Sequence, residues 1–141
     1  MEGAAATTAK VSRDELVARA RALIPMVRSE ADAAEQRRML APATIAAFGE
    51  AEFFRMLQPE RFGGFEYDFG MAVRIACEIG QGCASTAWVC GLAITHQWIV
   101  AGFPMEAQED VWGADPGAIT FGSYAPAAEA RPVDGGWLIS G

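Results

Sequence analysis

No charged side chain interrupts the segment Ile79-Gly-Gln-Gly-Cys-Ala-Ser-Thr-Ala-Trp-Val-Cys-Gly-Leu-Ala-Ile-Thr-His-Gln-Trp-Ile-Val-Ala-Gly-Phe-Pro-Met105. Most of the segment is apolar, and we predict that it contains a buried helix over about Ser85–Ala101. Three consecutive polar residues, Thr95, His96 and Gln97, lie within that helix, and His96 is the only histidine of the chain. Polar groups on a buried helix are either hydrogen-bonded within the core or directed at a pocket. Which of the two holds for His96 decides whether its role is structural or functional.

The uncharged segment is also long enough for a membrane span, for which about 20 apolar residues suffice. Glycines and polar side chains dilute its apolarity, however. The charged residues on either side, Glu78 and Glu106, are acidic, whereas basic residues are expected on the cytoplasmic flank of a span. We therefore predict a buried helix of a soluble bundle and no membrane partner.

Composition excludes one class of partner. The chain has 141 residues, enough for about one domain with its own core, and its formal net charge is −7. From Ile75 onward, Arg131 is the only basic residue. Because binding to phosphate backbones requires clustered Lys and Arg side chains, we predict no nucleic-acid interface in this half.

The cysteines indicate a reducing compartment. Cys77, Cys83 and Cys90 are odd in number, lie in apolar sequence surroundings and form no Cys-x-x-Cys pair. This pattern predicts buried, reduced thiols in a cytoplasmic protein. Acidic residues show no metal-ligand spacing, so we predict no metal. The residues from Met1 to Ala9 lack the charged and apolar regions of a secretory signal.

Helix signals recur along the chain. Ser12-Arg-Asp-Glu15 is a capping box, and apolar residues follow it at helical spacing. Pro25 lies inside that pattern and predicts a kink or a division into two helices. Further helices are expected to begin at Pro42, to span about Phe69–Ile79, and to run from Pro104 through Trp112.

The periodicity changes after Asp115. Ile119-Thr-Phe-Gly-Ser123 and Trp137-Leu-Ile-Ser140 have the composition of strands, and Asp134-Gly135 predicts a tight hairpin turn. We expect a disordered tail at 1–11, a helical domain at 12–115 and the start of a β-domain at 116–141. Two or three strands leave open edges and an uncovered face, so we expect this β-domain to be incomplete at Gly141.

Four motifs carry a family resemblance: Glu60-Arg-Phe-Gly-Gly-Phe65, Glu78-Ile-Gly-Gln-Gly-Cys-Ala-Ser-Thr-Ala-Trp88, Phe103-Pro-Met-Glu-Ala-Gln108 and Val133-Asp-Gly-Gly-Trp-Leu-Ile-Ser-Gly141. In this order they are similar to the N-terminal third of the acyl-CoA dehydrogenase superfamily. The Ser-Thr-Ala-Trp motif, followed after eight residues by a histidine, resembles the branch of two-component aromatic monooxygenases that use reduced flavin. The resemblance implies a mainly α fold, in which the N-terminal helical domain of the acyl-CoA dehydrogenase fold precedes the first strands of a truncated β-domain.

Two other hypotheses stay open. Acyl-CoA dehydrogenases usually carry a Thr-Glu-Pro-like motif followed by Gly-Ser-Asp near the first strand of the middle domain, where this chain has Phe121-Gly-Ser-Tyr-Ala-Pro126. The departure favours the monooxygenase over a dehydrogenase that oxidises thioesters with bound FAD. The third hypothesis is a non-catalytic helical module that pairs with another chain through its open β edges.

The resemblance also implies site residues. His96 would exchange a proton or a hydrogen bond with a substrate phenol, since histidine titrates near neutrality, and Ser123 would hold the substrate oxygen beside it. Trp88 and Phe121 would contact the substrate, and Thr120 and Ser123 the flavin. Each has a structural alternative: a core histidine bonded to a backbone carbonyl, a serine that caps a turn, a tryptophan packed in the core. Trp88 and His96 are separated by about 12 Å along a helix and about 80° around it, which suits one elongated cavity.

The function that the resemblance implies is hydroxylation of an aromatic or phenolic small molecule by reduced flavin and O2. A separate flavin reductase would supply FMNH2 or FADH2, whereas FAD is the cofactor of the dehydrogenase alternative. Members of the superfamily are usually homotetramers. The groups that hold the flavin would lie mainly beyond Gly141, so we expect the 141-residue chain to be inactive alone.

Overall fold

A bundle of helices is followed by a β-hairpin in the computed structural model, which describes residues 10–122, 125 and 127–141. This architecture confirms the mainly α prediction. The helices are α1 (Arg13–Arg37), α2 (Pro42–Glu50), α3 (Phe69–Gly80), α4 (Ala84–Ala101) and α5 (Met105–Trp112). Two short 3-10 helices, Phe53–Arg55 and Glu60–Phe62, lie between α2 and α3, and the strands are β1 (Glu129–Val133) and β2 (Gly136–Ser140).

Local sequence signals set the helix ends. The Ser12 hydroxyl accepts a hydrogen bond from the backbone N–H of Glu15 at 3.2 Å, as the capping box predicts. The Asp68 carboxylate caps α3 in the same way, accepting from the N–H of Gly70 at 3.0 Å. Pro42 occupies the first turn of α2, where its missing N–H costs nothing. Each predicted helix is therefore present at nearly its predicted position.

Pro25 does not divide α1, which runs unbroken from Arg13 to Arg37. Buried side chains on both sides of the proline, including Ala20 and Val27, pack into the same core. A proline inside a helix costs about 3 kcal/mol. Each buried Leu or Val returns about 1.5–3 kcal/mol, so packing on both sides outweighs the missing hydrogen bond.

One core joins α1, α3 and α4, and its fully buried side chains include Leu16, Ala20, Ile75, Ile79 and Ile94. An ion pair crosses the rim of this core, with Arg21 Nη2 of α1 lying 2.8 Å from Glu78 Oε1 of α3. Gln81 Nε2 donates to the other carboxylate oxygen, also at 2.8 Å. Helix α1 is therefore fixed to α3, against which α4 packs.

The hairpin is confirmed and the strand before it is not. Strands β1 and β2 pair antiparallel, with Val133 opposite Gly136 across the Asp134-Gly135 turn. The predicted strand over Ile119–Ser123 is wrong for residues 119–122, which have no regular secondary structure, and Ser123 lies outside the described residues. Within the described ranges β1 pairs with β2 alone, so residues 119–122 have no partner strand to complete a ladder.

The prediction that the uncharged segment forms a buried helix holds for one face of α4 only, because Trp88, Val89 and Trp98 on the same helix are exposed. Within residues 10–122, 125 and 127–141, every helix falls short of the length and apolarity that crossing a bilayer requires. Helix α4 instead packs along α3 and buries Ala87, Cys90, Ala93, Ile94 and Val100.

Candidate active site

The three consecutive polar residues of α4 are all hydrogen-bonded to their own helix. Thr95 Oγ1 donates to the carbonyl oxygen of Leu92 at 3.1 Å, and His96 Nδ1 lies 2.7 Å from the same oxygen. Gln97 Nε2 donates to the carbonyl oxygen of Ala93 at 3.1 Å. Local bonds therefore satisfy one polar atom of each side chain, and they fix the orientation of all three.

The contact to Leu92 also fixes the tautomer of His96. A carbonyl oxygen can only accept, so the proton of this hydrogen bond belongs to Nδ1. In the neutral imidazole the proton-accepting lone pair is then on Nε2, at the opposite edge of the ring. The side chain is 7% exposed. His96 is thus a buried imidazole, held by the backbone, with its basic nitrogen directed away from α4.

Two residues of the irregular segment at 118–122 pack against the outer edge of that ring. The centroid of the Phe121 ring lies 6.3 Å from that of His96, with the planes tilted by 37°. The backbone of Gly122 comes so close that a Cβ built on it would lie 3.2 Å from both Nε2 and Cδ2 of His96. The structure therefore brings His96 and Phe121 together.

Side chains from the helical domain position this segment. Trp112 is fully buried at the end of α5, and its Nε1 donates to the carbonyl oxygen of Ala118 at 3.3 Å. Gln58, also buried, donates through Nε2 to the carbonyl oxygen of Pro116 at 2.7 Å. These two bonds fix the chain just before Phe121. They replace the backbone pairing that a strand would have provided.

Two buried polar atoms have no hydrogen-bond partner in the part of the chain that the structure describes, Thr120 Oγ1 and Gln97 Oε1. Leaving such an atom unpaired costs about 1–3 kcal/mol, so each calls for an explanation. Thr120 directly precedes Phe121 and was among the predicted flavin contacts. An unpaired hydroxyl on the residue next to Phe121 suits a ligand that would complete the hydrogen bond.

Trp88 occupies a separate groove. The groove has a volume of about 280 Å³, and α3 and α4 supply its almost entirely apolar lining, which includes Phe69, Val73, Trp88, Leu92 and Thr95. Trp88 itself is 68% exposed, so it is not a core residue. His96 is not among the described residues that line the groove. The elongated cavity that would hold Trp88 and His96 together thus stays a prediction.

Ser123, predicted to hold substrate and flavin, lies outside the described residues. Sequence reasoning assigned no role to Gly122 and only a packing role to Trp112. Gly122 lies directly before Ser123, and a glycine next to a predicted site residue is the one signal that pointed to it. No pattern in the sequence marks the bond of Trp112 to Ala118, because the two groups meet through the turn after α5.

The cysteines differ from the prediction that all are buried. Cys90 alone is buried, Cys83 is half-buried and Cys77 is exposed. Cys77 lies on α3, outside the apolar stripe that faces the core. Burial raises the pKa of the Cys90 thiol to about 12. A hydrogen bond from Thr86 lowers the pKa of Cys83, which precedes the first turn of α4.

A family model for the N-terminal domain of acyl-CoA dehydrogenases matches residues 10–114. The chain belongs to this family. The acyl-CoA dehydrogenase N-terminal domain is the helical part of the chain, and it contains Trp88 and His96. Residues 118–122, which contact His96, follow the matched region.

Similar proteins bear the names of flavin-dependent oxygenases. The oxygenase component of an FADH(2)-dependent resorcinol hydroxylase from Rhizobium sp. (strain MTP-10005) is 41% identical over 126 residues, which are 89% of this chain and 31% of the relative. The crystal structure of 3-HSA hydroxylase from Rhodococcus sp. RHA1 superposes with a TM-score of 0.81 at 38% identity, covering 90% of this chain and 34% of that one.

A third similar protein was solved with a reduced flavin. XiaF from Streptomyces sp., in complex with FADH2 and glycerol, superposes with a TM-score of 0.82 at 28% identity and covers 92% of this chain and 33% of that one. The chain therefore spans about a third of the length of the proteins it matches. The recognised resemblance to the flavin-dependent oxygenase branch of the superfamily is confirmed.

Proposed function

We propose that this protein, in full length, is the oxygenase component of a two-component monooxygenase that hydroxylates a phenol with reduced flavin and O2. One observation carries the proposal: the imidazole of His96 is buried, is held through Nδ1 by the Leu92 carbonyl, and has the Phe121 ring beside it and Gly122 against its Nε2 edge. The names of the similar oxygenases support it, because they state FADH2 dependence and an aromatic substrate, resorcinol.

His96 acts as the proton acceptor for the phenol. With its Nδ1 proton held by Leu92, the neutral ring receives a proton only at Nε2. Removing the phenolic proton makes the aromatic ring more electron-rich, which speeds its reaction with an electrophilic oxygen. A positioned acid–base group contributes about 10²- to 10⁴-fold to such a reaction. Phe121 packs beside the ring.

The described residues fit a reduced flavin. When bound, the flavin activates O2 and supplies the oxygen atom that is transferred to the substrate. The unpaired Thr120 Oγ1 is available to bond a polar atom of the flavin, and Phe121, 63% exposed, offers an aromatic surface. FADH2 is the first choice over FMNH2, because two of the similar proteins are named with it.

Trp88 and Ser123 complete the proposed substrate site. Trp88 presents its indole at an apolar groove whose lining suits an aromatic ring. Ser123 directly follows Gly122 in the sequence, and it is proposed to bond the substrate oxygen that faces His96 and to contact the flavin. Both roles rest on the resemblance together with these positions.

The proposed reaction needs a partner. A separate flavin reductase supplies the reduced flavin, and the reduced thiols suit a cytoplasmic protein. We further propose a homotetramer, the usual assembly of the superfamily, and a division into a tail, a helical domain and a β-domain at about residues 12 and 116.

The test is oxygen consumption and product analysis on the full-length protein, supplied with chemically reduced FAD and resorcinol. Hydroxylated resorcinol in proportion to the flavin supplied is the expected result. Reduction of an electron-accepting dye by an acyl-CoA, without reductase or resorcinol, would instead favour the dehydrogenase. If the protein shows neither activity, the non-catalytic helical module is the hypothesis that remains.

A further inference from the structure

The structure assigns to Gln58 the role of a positioning residue for the proposed reaction: its buried amide holds the segment at 118–122 against His96. The part of this inference that concerns product yield rests on the proposed function, whereas the part that concerns the surroundings of His96 does not. The inference also gives a role to the Glu-Arg-Phe-Gly-Gly-Phe motif at 60–65, which carries the family resemblance and has no part in the proposed reaction.

A turn that holds its own shape leads into the segment at 118–122. The backbone N–H of Ala118 donates to the carbonyl oxygen of Asp115 at 3.0 Å, and the N–H of Gly117 donates to Asp115 Oδ1 at 2.9 Å. Proline and glycine, which occupy positions 116 and 117, are favoured in the middle of such turns. The turn therefore acts as one unit, and Phe121 and Gly122 follow it within a few residues. The place at which the turn is attached decides where these two residues lie.

The side chains of Gln58 and Trp112 attach this turn to the helical domain, and Gln58 makes the shorter bond. Gln58 Nε2 donates to the carbonyl oxygen of Pro116 at 2.7 Å, whereas Trp112 Nε1 donates to that of Ala118 at 3.3 Å. Gln58 and Pro116 are 58 positions apart in the sequence, so their bond joins separate parts of the chain. Because Gln58 is buried, an unpaired partner left there costs more than one at the surface, where water replaces the lost bond.

The motif at 60–65 fixes the backbone from which the Gln58 amide extends. The carbonyl oxygen of Gln58 accepts from the N–H of Glu66, the residue after the motif, at 3.0 Å. A Cβ built on Gly64 would lie 2.0 Å from the same carbonyl oxygen, and the backbone of Gly64 is not left-handed. Glycine is therefore required at position 64 because two backbones approach each other closely, and not because of its conformation. The motif thus packs directly on the main chain of Gln58 and holds it in place.

The far end of the segment packs on His96. The ring centroid of Phe121 lies 6.3 Å from that of the imidazole, and the backbone of Gly122 lies against its Nε2 edge. Without the bond from Gln58 the turn keeps its internal bonds and the longer bond from Trp112, but it loses the shorter of these attachments. Phe121 and Gly122 are then free to shift relative to the imidazole. A shift of about 1 Å among reacting groups can lower a rate by about 10²-fold.

The experiment compares Gln58→Met with Gln108→Met in the full-length protein. Methionine is an unbranched side chain that cannot donate a hydrogen bond. Gln108 is the matched control because it is also buried and its Nε2 also donates to backbone carbonyls, those of Ala101 at 3.0 Å and Phe103 at 2.7 Å, neither of which belongs to the segment at 118–122. Since Gln108 makes two such bonds, Gln108→Met should lower the melting temperature at least as much as Gln58→Met does.

Two readouts report on the candidate site. Histidine-selective 15N labelling gives the ring signals of His96 in the absence of flavin and substrate, and their loss in His96→Gln assigns them. We expect Gln58→Met to shift these signals and Gln108→Met to leave them where the wild type has them. With reduced FAD, O2 and resorcinol, the hydroxylated product per flavin oxidised should fall by about 10-fold or more in Gln58→Met and stay unchanged in Gln108→Met.

The outcomes separate the role of Gln58 from the proposed function. His96 signals at their wild-type positions in folded Gln58→Met, or an equal shift in Gln108→Met, overturn the positioning role, and a wild-type product yield despite shifted signals overturns its part in the reaction. A shift and a loss of yield confined to Gln58→Met support both. If the wild type does not hydroxylate resorcinol while the signals shift in Gln58→Met alone, the proposed function is wrong and the positioning of the segment by Gln58 stands. If Gln58→Met does not fold, Gln58→Asn replaces it with the same expectations, because its amide is one methylene shorter and falls short of the Pro116 carbonyl.

Discussion

His96 Nδ1 and the carbonyl oxygen of Leu92 lie 2.7 Å apart, one helical turn from each other on α4. The contact is the one that a core histidine bonded to a backbone carbonyl would make, and it anchors the Nδ1 edge of the imidazole to the helix. Phe121 and Gly122 of another segment pack beside the ring. A side chain anchored in this way presents its basic nitrogen in one direction, which is what general base catalysis requires.

Removing the imidazole should abolish most of the proposed chemistry. We expect His96→Ala in the full-length protein to lower the hydroxylation of resorcinol by about 10²-fold or more, the usual effect of losing an acid–base partner. Reduced flavin should still react with O2, since that chemistry belongs to the flavin. The measurement is hydroxylated product per reduced flavin oxidised.

The control for this variant is Arg19→Ala, which removes an exposed ion pair to Glu15 on α1. Exposed pairs of this kind contribute at most about 1 kcal/mol, so product yield should be unchanged. If His96→Ala also leaves the yield of hydroxylated product unchanged, His96 has a packing role and no catalytic one.

Loss of the bond from Trp112 should loosen the segment that contacts His96. Trp112→Phe removes the donor to the Ala118 carbonyl and keeps a ring against Phe62, whose centroid lies 5.4 Å away. The free energy of unfolding should fall by about 1 kcal/mol, the net value of one hydrogen bond. Urea denaturation measures the free energy of unfolding. The NMR signals of His96 should also change, although Trp112 lies outside α4, because the loosened segment contacts the His96 ring.

The control is Trp98→Phe, because Trp98 lies on α4 itself, is half exposed and packs against Phe69 at 5.5 Å. If Trp98→Phe alters the signals of His96 more than Trp112→Phe does, the proposed positioning of residues 118–122 is wrong.

The ion pair between Arg21 and Glu78 should make stability depend on pH in the acid range. The hydrogen bond from Arg21 lowers the pKa of Glu78 below its ordinary value of 4.5. A carboxylate whose pKa is lower in the folded state stabilises the fold above its unfolded pKa, and this stability is lost as pH falls through the folded value. Urea unfolding midpoints measured from neutral pH downward should therefore fall in the acid range.

Two variants test the assignment. Glu78→Gln should give a flatter pH profile, because the titrating group is gone, and Arg21→Met should flatten it too, because the partner that lowers the pKa is gone. A profile as steep in both variants as in the wild type would assign the acid sensitivity to other carboxylates, Asp68 beside Arg13 first among them.

Alkylation should distinguish two cysteines of the same helix region. Cys83 is half-buried and has a lowered pKa, whereas Cys90 is buried and its pKa is raised to about 12. Because the thiolate is the reactive form, iodoacetamide should modify Cys83 in the folded protein and leave Cys90 unmodified until urea unfolds it. Peptide mass mapping measures both. Thr86→Val should slow the reaction of Cys83, and modification of Cys90 at an equal rate would contradict the burial of its thiol.

Much of the helical fold could be predicted because its signals are local. The capping box at Ser12, the proline at the start of α2 and the uncharged segment of α4 act through neighbouring residues, and the helices follow them closely. The Asp134-Gly135 turn is equally local and the hairpin is present. Two predictions failed for a tertiary reason. Pro25 left α1 undivided because packing outweighed it, and residues 119–122 formed no strand because none pairs with them.

For the candidate site, too, local features could be predicted from the sequence and tertiary contacts could not. The sequence alone determined that an uncharged helix carries the only histidine, together with the motifs that indicate the family, since composition and spacing depend only on the order of residues. The tertiary structure alone decided that Trp88 faces a groove whose described lining does not include His96, and that Gly122 lies against Nε2. These relations join residues on different segments, and their distances are set by how the core packs, which no local pattern encodes.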